Sequence, residues 1–599
     1  MTKVSDYIAK RLTEHGVTDV FMISGGGAMH LNDAIGRNKK LKYFCNHHEQ
    51  ASAIAAEGYS RATGKLAVVV VTSGPGGTNT LTGVIGQWLD SVPVLYISGQ
   101  VKHETTIDSC PEIGLRQLGD QEINIVDIVK PVTKYAVMVK DPLKVKEMMD
   151  KAIDIATSGR PGPVWLDIPL SVQGAQIDED NLSEYTKEKT KTTSEAKKYA
   201  EETVSALKKA KRPVLFVGRG IRISGAEDIL NKIINTLKIP VVTSLNGMDL
   251  VPSSNPYYIG HNGTIGQRAG NFTVQNSDLL LSIGSRNNIR QVSYNWGGYA
   301  RAAKKIIVDI DKAELSKPTI HPDIAVNCDA KEFLEALLME LQKADLPSYS
   351  EWLSWCRDKK IKYPTVLPEY NKQKEPVNPY FFIEKMTSKL RDGSIIVGGN
   401  GSATVITFQA AIIKNDQRII INSGCASMGY DIPAAIGASV AKDKGEIICL
   451  AGDGSAQMNI QELQTIAGYN LPIKLFYLNN NGYVSIKQTQ ENFFPGCRIA
   501  CCPGSGVTLP DMSKLAVAYG LKYVKIEKQN NVDRAVDEVL AEKGPVVCEV
   551  MLQDFYIFSP KTSSLKKEDG TMVSKPLEDM YPFLDREEFK KDMIIPPID

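Results

Sequence analysis

Short, nearly unbroken apolar runs punctuate the chain, each followed by a glycine-rich or helical stretch. LAVVVVT (66–72), PVLYISG (93–99) and PVWLDIP (163–169) form a first block. RPVLFVGRG (212–220), PVVTS (240–244), DLLLSIGS (278–285) and KKIIVDID (304–311) form a second. SIIVGGNG (394–401), EIICLAGDG (446–454), IKLFYLNNN (473–481) and PVVCEVML (545–552) form a third. Runs of this kind suit strands buried on both faces, as in parallel sheets covered by helices. The pattern predicts an α/β fold of three consecutive doubly wound parallel-sheet domains over 1–185, 195–350 and 375–557. Two stretches poor in large apolar residues read as linkers, 177–198 and about 358–378, and from Phe558 a polar, proline-containing tail runs over 558–599.

Composition narrows the function. The 599 residues are 43% hydrophobic and 23% charged, and 70 basic against 69 acidic residues leave a net charge of +1. Such a balance gives no reason to expect a nucleic-acid or membrane-surface partner. MTKVSDYIAKRLTEHGV at the start reads as an amphipathic helix of mixed charge, not a signal peptide, and LAVVVV is far too short to span a bilayer. Ten scattered cysteines favour a reducing cytoplasm. Cys497, Cys501 and Cys502 cluster, but no fourth ligand stands at a spacing typical of zinc sites.

The third block carries the strongest chemical signal. Its strand EIICLA ends in Gly452-Asp453-Gly454-Ser455, a helical stretch follows, and the strand IKLFYL ends at Asn480, 27 residues after Asp453. Both residues then sit at carboxyl ends of strands in one parallel sheet, where such sheets bind ligands. A hard cation such as Mg²⁺ takes oxygen ligands: the Asp453 carboxylate, the Asn480 amide and the Gly482 carbonyl supply three. Gly452 and Gly454 let the backbone approach a diphosphate, with amides of the next helix facing it. GDGS and NNNG as two plain turns is the competing reading.

With these blocks the chain resembles the thiamine-diphosphate enzymes of the acetolactate synthase group, whose diphosphate motif is GDG followed at about this interval by NN. The likeness covers nearly the whole chain. His48-Glu49-Gln50, AEGYSRATGK (56–65), TSGPGGTN (72–79), DSVPVLYISGQV (90–101), TKY (133–135) and GRPGPVWLDIP (159–169) look like family blocks in family order. The resemblance makes the first domain pyrimidine-binding and the third diphosphate- and Mg²⁺-binding. It places Gly26, Glu49, Ser73, Pro75 and Asn79 of the first domain at the cofactor. Glu49 matches the glutamate that bonds the cofactor's aminopyrimidine ring; a carboxyl group there shifts the ring toward its imino tautomer, and the cofactor's exocyclic nitrogen becomes the base. Ala51, Ala53, Ile54 and Ala55 suit its partial burial, and a helix-start glutamate capping its own backbone is the plainer alternative. His48 reads as a structural neighbour. Met428 matches the bulky residue over which the family bends its cofactor. Gly399, Asn400, Gly401 and Ser402 fall where the family contacts the diphosphate, with Gly401 and Ser402 replacing its usual His and Gln, so backbone contacts are expected. Gly452, Asp453, Gly454, Ser455, Asn480, Gly482 and Tyr483 complete the cofactor set. Since the family pairs the first domain of one subunit with the third of another, the resemblance implies a homodimer or homotetramer with active sites at the interface.

In the middle domain the family's acetolactate synthases bind FAD, and related enzymes bind ADP or nothing; all three remain open. GRG (218–220), HNGTIG (261–266), GSRNNIR (284–290) and DIDKAELSK (309–317) carry the likeness. The nucleotide candidates are Gly218, Arg219, Gly220, Arg286, Arg290, Asp309 and Asp311, although Asn288 and Ile289 replace the family's acidic pair. Two positions that shape the family's acceptor pocket also depart: its Phe-Gln pair becomes Asp120-Gln121, and its tryptophan becomes Thr489. His30, after Gly25-Gly26-Gly27, adds a hydrogen-bonding group, and His30, Glu49 and Gln121 form the catalytic set. These changes argue for a hydroxylated or larger acceptor than pyruvate, such as a sugar derivative. The reaction implied is decarboxylation of a 2-oxo acid donor and ligation to a carbonyl acceptor. Simple decarboxylation or C–C hydrolysis on the same cofactor is the alternative, and a non-catalytic regulatory protein a third. The tail 560–589 is expected either to close over the site as a lid or to be an exposed docking segment.

Overall fold

The computed structural model describes residues 1–187, 195–566 and 569–598. Three six-stranded parallel sheets follow one another along the chain. The first contains β1 (Asp19–Met22), β2 (Lys42–Cys45), β3 (Ala67–Val71), β4 (Val94–Gln100), β5 (Tyr135–Met138) and β6 (Val164–Pro169), in the order β2-β1-β3-β4-β6-β5. The second contains β7 (Pro213–Val217), β8 (Val241–Thr243), β9 (Tyr258–His261), β10 (Leu279–Ile283), β11 (Lys304–Asp309) and β12 (Ile324–Asn327), in the order β9-β8-β7-β10-β11-β12. The third contains β13 (Ile395–Gly398), β14 (Arg418–Ile421), β15 (Ile447–Gly452), β16 (Ile473–Asn479), β17 (Lys522–Ile526) and β18 (Val546–Met551), in the order β14-β13-β15-β16-β18-β17. Numbered within each domain, the outer two sheets share the order 2-1-3-4-6-5, while the middle one is 3-2-1-4-5-6, the dinucleotide-binding arrangement.

The likeness of the outer domains extends to side chains. Asp167 is the fourth residue of β6 and Glu549 the fourth of β18. Ser98 is the strand partner of Asp167 and Tyr477 that of Glu549. Two residues further on, Gln100 donates to Asp167 at 3.0 Å and Asn479 to Glu549 at 2.7 Å.

The same connection, from second to third strand, is made by α1 (Glu49–Thr63) in the first domain and α2 (Asp431–Ala441) in the third. Each begins on an acid. They pack antiparallel, Gly58 against Ala434 and Gly437 against Ala55, and a Cβ on Gly437 would stand 1.7 Å from the Ala55 carbonyl oxygen. α1 is buried from Ala51 to Arg61, which explains its small residues and weak polar face. Beside this seam, Arg61 bridges Glu57 at 2.8 Å and Asp90 at 2.7 Å, all three buried. Tyr430 donates to Glu57 and the Ser423 amide to Asp90, while Arg219 of the middle domain donates to the Asp90 carbonyl. One buried ionic knot thus fastens all three domains.

Both expected linkers need correction. The first opens on Ile177, which pairs with Thr2, and ends inside the helix Ala196–Lys209; its residues 188–194 lie outside the described residues. The second begins inside the helix Ser350–Lys362, which buries Trp352, Leu353 and Cys356 against the middle domain. Lys359, Lys362 and Tyr363 at its end all bond Asp592. The tail is therefore anchored on the middle domain, with Leu577, Met580 and Phe589 buried and Glu578 held by Gln275 and Arg301. Among the described residues no helix is long and apolar enough to cross a membrane.

Candidate functional site

β15 and β16 are neighbours, with Gly452 opposite Leu478, so Asp453 and Asn480 leave adjacent strand ends. The Asp453 carboxylate accepts backbone N–H bonds from Gly454 at 2.6 Å, Asn480 at 2.9 Å and Gly482 at 3.0 Å. Burial nonetheless pushes its pKa up to about 6, against the pull of those amides and Lys487. Beside it the Asn480 Nδ2 is buried without a hydrogen-bond partner. Gly482 has φ +122°, and a Cβ there would stand 2.2 Å from the Cys501 carbonyl oxygen, so this bend admits only glycine. Among the described residues the Asn480 side chain makes no hydrogen bond, so its Oδ1 is free, and a buried carboxylate beside a free amide oxygen is a donor set that fits a hard divalent cation. Among the described residues no three His, Cys, Asp or Glu side chains gather to hold a metal.

Lys487, which sequence reasoning missed, is buried and donates to the carbonyls of Asn480, Asn481 and Asp554 at 2.8–3.0 Å. It pins the loop that carries the metal-type ligands. The signal available was its place in the helix Val484–Phe493, one turn after Tyr483.

Around this pair the remaining third-domain candidates converge. Ser455 Oγ donates to Asp431 at 2.5 Å and accepts from the Gly429 amide at 2.9 Å. The Tyr483 ring covers Gly454, and Met428 Cε lies 3.3 Å from where a Gly454 Cβ would be. Gly452 faces open space. Gly399 packs against the Asp431 carboxylate, whose pKa burial raises to about 6. Asn400 Oδ1 accepts from the Gly401 amide at 2.6 Å, and the Ser402 hydroxyl accepts from Tyr556 at 2.6 Å. Asn400, Gly401 and Thr489 line a cavity of about 1040 Å³ together with Arg290, Gln488, Ile557 and tail residues from Phe558 to Phe583.

The first-domain candidates collect at the end of the first sheet. Glu49, half-buried at the start of α1, accepts from Asn79 Nδ2 at 2.9 Å, while His48 Nδ1 caps the helix by accepting from the Gln50 amide at 3.1 Å. Ser73 is buried just past β3, where a Cβ on Gly27 would stand 2.6 Å from its hydroxyl; Gly26 faces open space and Pro75 is exposed. Gln121, at φ +60°, sets its carbonyl 2.6 Å from where a Gly74 Cβ would be, and Asp120 beside it is exposed. His30 lies against Gly174. None of these lines the third-domain cavity.

In the middle domain a cleft of about 380 Å³ opens at the strand ends, lined by Arg219, Gly220, Arg286, Asn288 and Asp309. Asn288 Oδ1 is buried without a partner, burial raises Asp309 to about 6, and burial lowers Arg219 to about 9. Gly218 packs behind the cleft against Ser285, and Asp311 is occupied by Arg160 at 2.8 Å. Arg290, expected with Arg286, opens instead on the third-domain cavity, because Arg286 at φ +61° ends any shared helical face.

Three family models match in the order of these domains. They are the N-terminal TPP binding domain, the central domain and the C-terminal TPP binding domain of thiamine pyrophosphate enzymes, over residues 2–126, 200–337 and 399–550. The chain belongs to the thiamine pyrophosphate enzymes. Within that family it is 33% identical to the acetolactate synthase large subunit of Lactococcus lactis, over 92% of both chains. It is 32% identical to the acetolactate synthase isozyme 2 large subunit of Escherichia coli, over 92% of this chain and 95% of that one. It is 31% identical to a chloroplastic acetolactate synthase of Nicotiana tabacum, over 92% and 82%. The protein is therefore a thiamine-diphosphate-dependent enzyme of the C–C bond-forming group that includes the acetolactate synthases.

Proposed function

We propose that this enzyme decarboxylates a 2-oxo acid, most simply pyruvate, and joins the remaining acyl unit to a carbonyl acceptor larger or more polar than pyruvate. The observation that carries the reading is the buried Asp453 carboxylate at a strand end adjacent to Asn480, whose side-chain oxygen bonds nothing among the described residues. When bound, thiamine diphosphate supplies the carbon nucleophile and takes up the electron pair left by CO₂. Asp453, Asn480 and the Gly482 carbonyl would hold Mg²⁺, and Lys487 keeps their loop in place. The open backbone at Gly452 and the turn at Gly399–Ser402 make room for the diphosphate, and Met428 would support the cofactor from beside Gly454. Glu49 would share a proton with the pyrimidine ring nitrogen. Thr489 and Gln488 give the acceptor side a polar wall.

Glu49 and Asp453 stand on different sheets, and the first-sheet end is flanked by an exposed apolar loop, with Ile113, Leu115 and Leu118 at its surface. That loop favours a homodimer in which the first domain of one copy meets the third of another. The middle cleft suits an adenine nucleotide such as FAD or ADP: its sheet order and the two arginines suit the diphosphate, and the unpartnered Asn288 oxygen can accept from a ribose hydroxyl. The test is CO₂ release from pyruvate by enzyme loaded with Mg²⁺ and thiamine diphosphate, with and without aldehyde, ketone and sugar acceptors. Acceleration by an acceptor, with the ligated product seen by mass spectrometry, is the expected result. Release indifferent to every acceptor would make the enzyme a simple decarboxylase.

A further inference from the structure

The large cavity is lopsided in charge. Part of its roughly 1040 Å³ belongs to the diphosphate expected at Asn400 and Gly401, and the remainder, toward Thr489 and the tail, still exceeds what a three-carbon acceptor needs. Its described lining contains two cations, Arg290 and Lys561, and no carboxylate. Neither cation is ion-paired among the described residues; Lys561 Nζ finds only the neutral Gln488 Oε1, at 3.0 Å.

Backbone bonds fix the two cations on adjoining segments. The Thr562 amide donates to the Thr264 carbonyl at 2.8 Å, and the Thr264 amide donates to the Arg290 carbonyl at 2.7 Å. Lys561 is further held by amide–carbonyl bonds in both directions with Tyr581. Because Gln488 Oε1 also accepts from the Phe558 amide, its amide is oriented, and its Nε2 is left buried without a partner. The Ser563 hydroxyl on the same wall is buried and unpartnered as well. Burial lowers the pKa of Lys561, a cost that a bound anion would offset. At the rim Phe494 is 65% exposed, an apolar face of the kind on which a sugar ring or base can rest.

We infer that the acceptor is a phosphorylated sugar, either a sugar phosphate or a nucleotide sugar, whose phosphate is held by Lys561 of the C-terminal tail with Arg290 alongside. Unneutralised cations and unpartnered donors together form a seat for an anion rich in oxygen acceptors. The inference rests on the cavity being the acceptor side of a carboligase.

Calorimetric titration of the enzyme, loaded with thiamine diphosphate and Mg²⁺, tests it with three probes: glucose, glucose 6-phosphate and UDP-glucose. At least one phosphorylated probe should bind about tenfold or more tightly than glucose, as a charge-assisted contact predicts. The Lys561→Met variant should lose that preference and Lys561→Arg should keep most of it, with melting temperatures confirming that both fold. Tighter UDP-glucose binding assigns a nucleotide sugar, and tighter glucose 6-phosphate binding a sugar phosphate. Equal binding of glucose and both phosphorylated probes overturns the inference, and so does a preference that survives in Lys561→Met. Lys561-dependent phosphate binding without CO₂ release from pyruvate would leave the seat standing and remove the proposed donor.

Discussion

The first and third domains are built to one plan, yet only one of them carries metal-type ligands. They share a strand order, a connecting helix that begins on an acid, and an acid at the same register of β6 and β18. Val71 faces Ser98 as Ala451 faces Tyr477, so Ser73 occupies the place of Asp453, and Val101 that of Asn480. A serine and a valine cannot anchor a divalent cation, whereas an aspartate and an asparagine can. The two half-sites also differ in readiness. Asp453 is buried and held by three amides, while Glu49 is half-buried and takes one bond from an exposed Asn79. A common scaffold has given one domain a finished seat and the other a group that becomes useful against a second surface.

The largest effect should come from removing the ligand that distinguishes the two sheets. Asp453→Ala is expected to cut Mg²⁺-dependent activity by about a thousandfold or more, with cofactor binding lost in fluorescence titration. Ser73→Ala, at the matching place, should leave Mg²⁺ affinity within about threefold; an equal loss in both would end the distinction. Next, Glu49→Gln should lower the rate by about a hundredfold to ten-thousandfold while Mg²⁺ still binds. Unchanged turnover in that variant would remove the first domain from the chemistry altogether.

Breaking the joint between the domains should cost stability. Arg61→Met leaves Glu57 and Asp90 buried without their shared cation, and a loss of about 3–5 kcal/mol is expected in denaturant unfolding. The smallest effect is a pH dependence seated in the first sheet. Burial raises the Asp167 pKa to about 6, although Ser98 and Gln100 oppose the shift. The folded chain thus holds that proton more tightly than the unfolded chain. The resulting stability is full below about pH 4 and is lost as pH rises through 6, up to about 3 kcal/mol. Urea midpoints between pH 4 and 7 should show this slope, and Asp167→Asn should reduce it, leaving the part that Asp309, Asp431 and Asp453, raised to the same value, contribute.

What could be read from the sequence followed burial. Every strand recognised from its apolar run, such as β3, β4, β15 and β16, lies inside a sheet, covered on both faces. The strands that escaped are the sheet edges and β1. β2 buries one residue in four and β12 is similarly open, so neither leaves a continuous apolar run, whereas β1, β9 and β14 are buried and burial does not account for their escape. Asp453 and Asn480 were legible because each ends such a run. Lys487 and Lys561 were not, since their roles depend on carbonyls and a tail brought in from distant parts of the chain. Arg290 was placed beside Arg286 by the likeness of GSRNNIR to the family's stretch, and the backbone turn at Arg286, φ +61°, sets the two arginines on different cavities.

The seam between Gly58 and Gly437 also constrains inheritance. With helix backbones this close, a single added methyl group at position 437 would collide with the opposite main chain rather than with a movable side chain. A chimera that takes its first domain from one relative and its third from another can close this seam only if small residues return on both sides at once. Recombination between the two halves is thereby filtered by a few cubic ångströms, and the outer domains of this enzyme are expected to have descended together as a matched pair.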